Sequence, residues 1–199
     1  QLGTGVVSAD AHEHMQTISS EAQRLSALVS RLIDLANGGS PDIEMGVIDA
    51  AQLLSGAADV CRPMLEKKHN RLESDSGEGI TLWGNTEMLL QVLINLTVNA
   101  NRHTENGVIA YRIADEGERV CLRVSDTGSG IAPDLLPHIF EKGCSGDGGS
   151  GIGLTICADA MKMHHGLLEV EHTDADGTVF RLELPKKPLK TQGENDCGR

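Results

Sequence analysis

Gln91-Val92-Leu93-Ile94-Asn95-Leu96-Thr97-Val98-Asn99-Ala100-Asn101-Arg102-His103-Thr104 sets polar residues at regular intervals into an apolar run. It lies within a strongly apolar segment, Thr86 to Asn101, whose pattern predicts a helix. Asn95, Asn99 and Arg102 recur at i, i+4 and i+7 and so share one face, and His103 follows directly. Asparagine is a poor helix former, and two of them on one face of an apolar helix need partners. Two readings stand. The amides brace a neighbouring loop by hydrogen bonding, or their oxygens bind a hard cation with Arg102 set to meet phosphate.

Downstream, Val108 to Ala114 and Val120 to Ser125 read as paired strands across the turn Asp115 to Glu118. Directly after them comes Asp126-Thr127-Gly128-Ser129-Gly130-Ile131. An Asp at a strand end, before flexible glycines, can accept a hydrogen bond from a ligand amine while the glycines allow close backbone approach. Asp-x-Gly is also an ordinary turn. Pro133 to Phe140 is predicted as a short helix, Gly143 to Gly149 as a loop and Gly151 to Met163 as a helix. Gly148-Gly149-Ser150-Gly151-Ile152-Gly153-Leu154 opens that last helix, where free backbone N–H groups make an anion site; the alternative is a flexible loop with no ligand. Leu167 to His172 and Thr178 to Leu184 form a hairpin across Asp174 to Gly177. No Gly-x-x-x-x-Gly-Lys-[Ser/Thr] occurs. Gly146 to Gly151 matches Gly-x-Gly-x-x-Gly only formally, because no apolar strand precedes it.

Upstream, Met45 to Ile48 and Ile80 to Trp83 read as short strands, and Ala50 to Lys68 as a helix disturbed at Pro63. Ahead of these lies a helix from Ala9 to Asn37. Its apolar seam, Met15, Ile18, Ala22, Leu25, Val29, Leu32 and Ala36, is spaced 3, 4, 3, 4, 3 and 4. Such a helix packs either on its own domain or in a dimeric bundle. Asn37-Gly38-Gly39 and Pro41 stop it and read as a hinge.

The chain of 199 residues can hold one sizeable core. Acids outnumber bases 29 to 17, a formal charge of −12, which makes it a poor partner for nucleic acid or an anionic membrane surface. No apolar run approaches the roughly 18 residues needed to span a bilayer. Five scattered cysteines without a Cys-x-x-Cys pair support neither zinc nor a disulfide framework and point to reduced thiols in the cytoplasm. Glycine is in surplus at 23 residues, eight of them between Asp126 and Gly153.

In this order the segments resemble the catalytic ATP-binding domain of two-component sensor histidine kinases. Gln91 to Thr104 resembles the family's N box, Asp126 to Pro133 the G1 box, Ile139 to Gly143 the F box and Gly149 to Leu154 the G2 box. Gly177-Thr178-Val179-Phe180 resembles the strand that closes the adenine pocket. The resemblance implies an α+β chain, a two-layer α/β sandwich of the Bergerat ATP-binding type preceded by one long amphipathic helix. The expected boundaries are 1–40 for part of the dimerisation hairpin, 41–186 for the ATP-binding domain and 187–199 for a flexible tail. It implies ATP and Mg²⁺ as the groups bound. Asp126 would take the adenine amine, Asn99 the Mg²⁺ with Asn95 beside it, and Arg102 and His103 the phosphates and ribose. Gly128, Gly130, Gly151 and Gly153 would shape the pocket and its lid, with Ile131, Leu154 and Thr178 also bounding it. Lys142 would reach a phosphate and Phe140 would anchor the lid. The family's hydrolytic relatives carry a Glu one turn before the metal-binding Asn. Asn95 stands there and cannot act as a general base, which favours phosphoryl transfer to a protein side chain.

The resemblance also implies that the γ-phosphoryl goes to a His and then to a response regulator, and that the full-length protein pairs through its helical hairpin. Glu21, Arg24-Leu25 and Leu32 to Leu35 resemble that hairpin's second helix. His12-Glu13 echoes the acceptor motif, but His12 lies only 12 residues before Arg24, which leaves no room for the rest of a first helix and a turn. The acceptor is expected upstream of Gln1, and His14, His164 and His165 are expected at the surface. A cytoplasmic segment of a membrane-anchored sensor, itself without membrane contact, fits this reading. A nucleotide-binding regulator, an inactive kinase and a serine-directed kinase of the anti-sigma type share the boxes and stay as alternatives.

Overall fold

Strands and helices follow one another as β1 (Gly46–Asp49), α1 (Ala50–Glu66), β2 (Arg71–Ser74), β3 (Thr81–Gly84), α2 (Thr86–His103), β4 (Val108–Glu116), β5 (Arg119–Asp126), α3 (Gly153–Met163), β6 (Leu167–Asp174) and β7 (Gly177–Pro185). The computed structural model describes residues 43–144 and 151–188. The seam helix Ala9 to Asn37 with His12 and His14, its glycine stop, Gly148 and Gly149, and the chain past 188 lie outside the described residues.

Five strands form a mixed sheet in the order β2-β4-β5-β7-β6, with β2 parallel to β4 and the other pairs antiparallel. β1 and β3 form a separate antiparallel ribbon. Alternation sorts the sheet's two faces. Val120, Leu122 and Val124 of β5 stand in register with Leu184, Leu182 and Phe180 of β7, and all six are buried. They pack in one core with Leu53 and Leu54 of α1, Leu93 and Leu96 of α2 and Met161 of α3. The intervening positions carry charge. Arg123 pairs with Glu171 at 2.6 Å, Arg181 with Glu169 at 3.0 Å and Arg112 with Glu73 at 2.6 Å. The helices therefore cover one face only, and the chain is the two-layer α/β sandwich that the sequence implies.

Helix starts follow local chemistry. Asp49 caps α1 by accepting from the Gln52 N–H at 3.1 Å, and Asn85 caps α2 by accepting from the Met88 N–H at 2.9 Å. Glu87 in the first turn of α2 and Arg102 and His103 in the last complement the helix dipole.

Several expectations change. α1 runs through Pro63 without a break, because Pro63 and Asp59, whose carbonyl loses its partner, are both exposed to water. α2 continues two residues past Asn101 and stops where Thr104 turns extended. Strand β2 had no sequence signal. Only Leu72 of its four residues is half-buried, so no alternation was visible. Pro133 to Phe140 holds only a 3₁₀ turn, Leu136–His138, since Pro133 and Pro137 remove N–H donors. The β4–β5 turn is two residues, with Gly117 at φ 81°.

His164 is not at the surface. It is fully buried, and its ring bridges two elements. Nε2 accepts from the Asn85 N–H at 2.9 Å, and Nδ1 faces the Ala160 carbonyl at 2.7 Å. A carbonyl can only accept, so Nδ1 donates and the ring is a single neutral tautomer. Gly84 makes room for it, since a Cβ there would lie 2.6 Å from His164 Cδ2.

His164→Ala empties a buried site and orphans the Asn85 N–H. It is expected to destabilise the fold by about 2–4 kcal/mol in urea titration. Tyr111→Phe is expected to cost only about 1 kcal/mol, because Thr97 Oγ1, 2.5 Å from the phenol, also donates to the Leu93 carbonyl at 2.7 Å.

Candidate functional site

The polar face of α2 does not meet the core. Asn95, Asn99, Arg102 and His103 turn into a cleft of about 770 Å³ between α2, the loop after β5, the start of α3 and the β6–β7 turn. A cleft of that size suits a small-molecule ligand. Asp126, Gly130, Ile131, Gly151, Gly153, Leu154 and Thr178 line it as well. Gly128 and Lys142 do not. Gly128 is buried behind Asp126, and Lys142 is exposed on the turn before Gly143. Phe140 is half-buried against the main core, and its carbonyl accepts from Thr155 Oγ1 at 3.2 Å.

Asp126 ends β5 and is half-buried. Its Oδ1 accepts from the Gly128 N–H at 2.9 Å. Burial pushes its carboxyl above the usual carboxylate range, opposed by the Gly128 N–H, the charge of His103, the Thr178 N–H and the Thr104 hydroxyl. The loop that follows is sewn to its surroundings. Thr127 exchanges bonds with Val108, its N–H donating to the carbonyl at 3.1 Å and its Oγ1 accepting from the N–H at 3.0 Å. The Ser129 N–H donates to the His103 carbonyl at 3.3 Å. A Cβ at Gly128 would lie 2.5 Å from that same carbonyl oxygen, so only glycine lets the loop reach the end of α2.

The far wall comes from the β6–β7 turn. Thr173 Oγ1 accepts from the Ile131 N–H at 2.8 Å and meets Thr178 Oγ1 at 3.2 Å. Gly130, at φ 73°, packs so tightly that a Cβ would collide with the Asp174 carbonyl. Sequence reasoning missed Thr173, Asp174 and Ala175. The available signal was the hairpin turn, which places Thr173 opposite Thr178. Pro133, Leu135 and Ile139, which the sequence places in a short helix, also line the cleft as apolar residues.

The donor set suits a nucleotide with a cation. Asn99 offers a neutral amide oxygen for a hard ion, and Arg102 and His103 stand nearby. Asn95 Oδ1 already accepts from Gln91 Nε2 at 2.8 Å. Among the described residues no side chain caps the start of α3, whose first backbone N–H groups can serve an anion. Among the described residues no three His, Cys, Asp or Glu side chains converge as a metal cage, so a cation here would need ligand oxygens of its own.

Comparison with known proteins agrees with this geometry. The sequence pattern of histidine kinase-, DNA gyrase B-, and HSP90-like ATPases matches residues 84–188. The chain is 26% identical over 178 residues to sensor histidine kinase YclK of Bacillus subtilis, covering 84% of this chain and 38% of that protein. It therefore spans about two-fifths of the length of the curated relatives it matches. The catalytic domain of histidine kinase ThkA, in a nucleotide-free form, superposes with a TM-score of 0.66 at 29% identity, covering 73% of this chain and 99% of that one. Full-length ShkA in complex with AMPPNP superposes with a TM-score of 0.71 at 26% identity, covering 92% of this chain and 40% of that one.

Asp126→Asn keeps an acceptor for the Gly128 N–H and removes the buried charge. Because the folded carboxyl holds its proton to higher pH than the unfolded one, ionisation costs stability above that window, and stability returns as pH falls into it. The variant without ligand is expected to be at least as stable as the parent at pH 7, with that part of the pH–stability curve flattened. Urea titrations across pH 3–8 check this.

Proposed function

We propose, on the premise that the chain belongs to the family of histidine kinase-, DNA gyrase B- and HSP90-like ATPases, that its cleft binds ATP with Mg²⁺ as the catalytic part of a sensor histidine kinase. The observation that carries the reading is that one cleft is lined by the half-buried carboxylate of Asp126, by Asn99, Arg102 and His103, and by the start of α3. The likeness to ShkA, whose structure is described with AMPPNP, supports the same ligand class.

Each residue's chemistry fits one part of the ligand. Asp126 accepts the adenine exocyclic amine, with Gly128 holding its other side. Ile131, Leu135 and Leu154 give the base an apolar slot that keeps water out. Arg102 and His103 face ribose and phosphates, and the first N–H groups of α3 donate to phosphate oxygens. Asn99 offers its amide oxygen to Mg²⁺. The metal, when bound, neutralises charge on the phosphates as the terminal group leaves. Asn95, anchored by Gln91, has no basic group and cannot take a proton from water, so the site favours transfer to a protein side chain over hydrolysis. The chain's part in that transfer is to orient the phosphates and exclude water.

The acceptor in this reading is a histidine on a hairpin helix outside the described residues, presented by a homodimer, with a response regulator receiving the phosphoryl next. Among the described residues no helix is long and apolar enough to cross a membrane, which fits a cytoplasmic catalytic segment of an anchored sensor.

Two measurements test the proposal. Titration with a fluorescent ATP analogue is expected to show Mg²⁺-dependent binding that Asp126→Asn weakens at least tenfold and Asn99→Ala uncouples from Mg²⁺. Unchanged binding in Asp126→Asn would remove the adenine assignment. The chain joined to its upstream segment and given labelled ATP is expected to yield an acid-labile, base-stable phosphohistidine. An acid-stable phosphoserine, or no phosphoprotein, would overturn the kinase assignment.

A further inference from the structure

Thr104 is the first residue past α2, with extended backbone at φ −116° and ψ 138°. It is 1% exposed, and its Oγ1 is one of two buried side-chain polar atoms without a hydrogen-bond partner among the described residues. The other is Arg181 Nε, on the charged face of the sheet away from the cleft, where the rest of that guanidinium is paired. Native folds rarely leave a buried hydroxyl unpaired, and one that is kept calls for an explanation.

The rest of Thr104 is fully committed. Its carbonyl accepts from Asn70 Nδ2 at 2.8 Å, and Asn70 Oδ1 accepts from the Gly107 N–H at 2.9 Å. Its methyl lies against Gly107, where a Cβ would come within 2.5 Å of both Thr104 Cγ2 and Thr127 Oγ1. Backbone and methyl are thus pinned on the Gly107 and Thr127 side. The hydroxyl is left beside Asp126, near enough to favour its ionised form but outside hydrogen-bond geometry, and Asp126 Oδ1 is already taken by Gly128.

We propose that Thr104 is a positioning residue for base recognition, donating its hydroxyl to the Asp126 carboxylate when nucleotide enters the cleft. The proposal rests on the reading that Asp126 takes the adenine amine. The donor would hold the carboxylate at one angle and favour its ionised form, the form that accepts from an amine. The other charged groups facing Asp126 across the cleft are Arg102 and His103 of α2 and Asp174 of the β6–β7 turn; Gly153 and Leu154 of α3 bring none.

Thr104→Val keeps the shape and removes the hydroxyl, and Thr104→Ser keeps the hydroxyl. Binding of Mg²⁺-ATP is measured for both, for the parent and for Asp126→Asn, across pH 5–8, with thermal melts without nucleotide. Thr104→Val is expected to melt no lower than the parent and to bind about tenfold more weakly. Its binding should also fail at a higher pH on acidification, since Asp126 loses a donor that favours ionisation, while Thr104→Ser restores both readouts. The nucleotide and the rest of the cleft are common to all variants, so the displacement of the curve is the quantity read. If Thr104→Val does not fold, Thr104→Ala against Thr104→Ser gives the same comparison. Parent-like affinity and pH profile in the hydroxyl-free variant, with binding lost in Asp126→Asn, would overturn the role of Thr104 alone. Parent-like binding in Asp126→Asn would overturn the adenine reading beneath it.

Discussion

Helix α2 answers to the core and to the cleft with the same eighteen residues, and the rest of the molecule depends on how that is resolved. At about 100° per residue, Leu89, Val92, Leu93, Leu96 and Ala100 fall on one side and are at most 3% exposed. Asn95, Asn99 and Arg102 fall on the other and line the cleft. A rotation of one residue would press amides and a guanidinium into the core, at several kcal/mol, and expose leucines worth about 1.5–3 kcal/mol each when buried. The apolar stripe therefore sets the angle at which the polar face meets a ligand. Thr97 is the polar residue on the buried side, and the Leu93 carbonyl and Tyr111 satisfy it there.

The cleft's second wall is placed by backbone proximity rather than by side-chain packing. The loop after Asp126 touches the end of α2 through His103 and Ser129, and touches the β6–β7 turn through Ile131 and Thr173. Gly128 and Gly130 have no space for a Cβ at those two contacts. Asp126 is held between them with its charge partly desolvated, which strengthens any hydrogen bond it accepts. Gly128, Gly130 and Gly151 are thus required by close approach at the cleft, whereas a Cβ at Gly143 or Gly153 would meet open space. The net charge of −12 is no obstacle to an anionic ligand, because Arg102, His103 and backbone N–H groups supply the local field.

Most of the architecture was legible where the chain pairs with its sequence neighbours. The β4–β5 and β6–β7 hairpins, the three helices and the shared face of Asn95, Asn99 and Arg102 all follow from periodicities of two and 3.6 and from turn residues between them. β2 escaped because its partner β4 lies beyond β3 and α2, and four largely exposed residues leave no pattern. His164 escaped for a related reason. A lone histidine at a helix end looks like surface until Gly84 and Asn85, about 80 residues earlier, are brought against it.

Spacing along the chain was enough to place the three helices, the two hairpins and the side chains that share a helix face, and the resemblance carried by the order of the boxes implied the α/β sandwich. Folding of distant segments against one another was needed for Thr173 and Asp174 to line the cleft, for Lys142 to stand outside that lining, and for Thr104 to keep a buried hydroxyl beside Asp126. Those features depend on distances between segments far apart in sequence. Such distances are set by the packing of the whole core against the sheet, which no local pattern encodes.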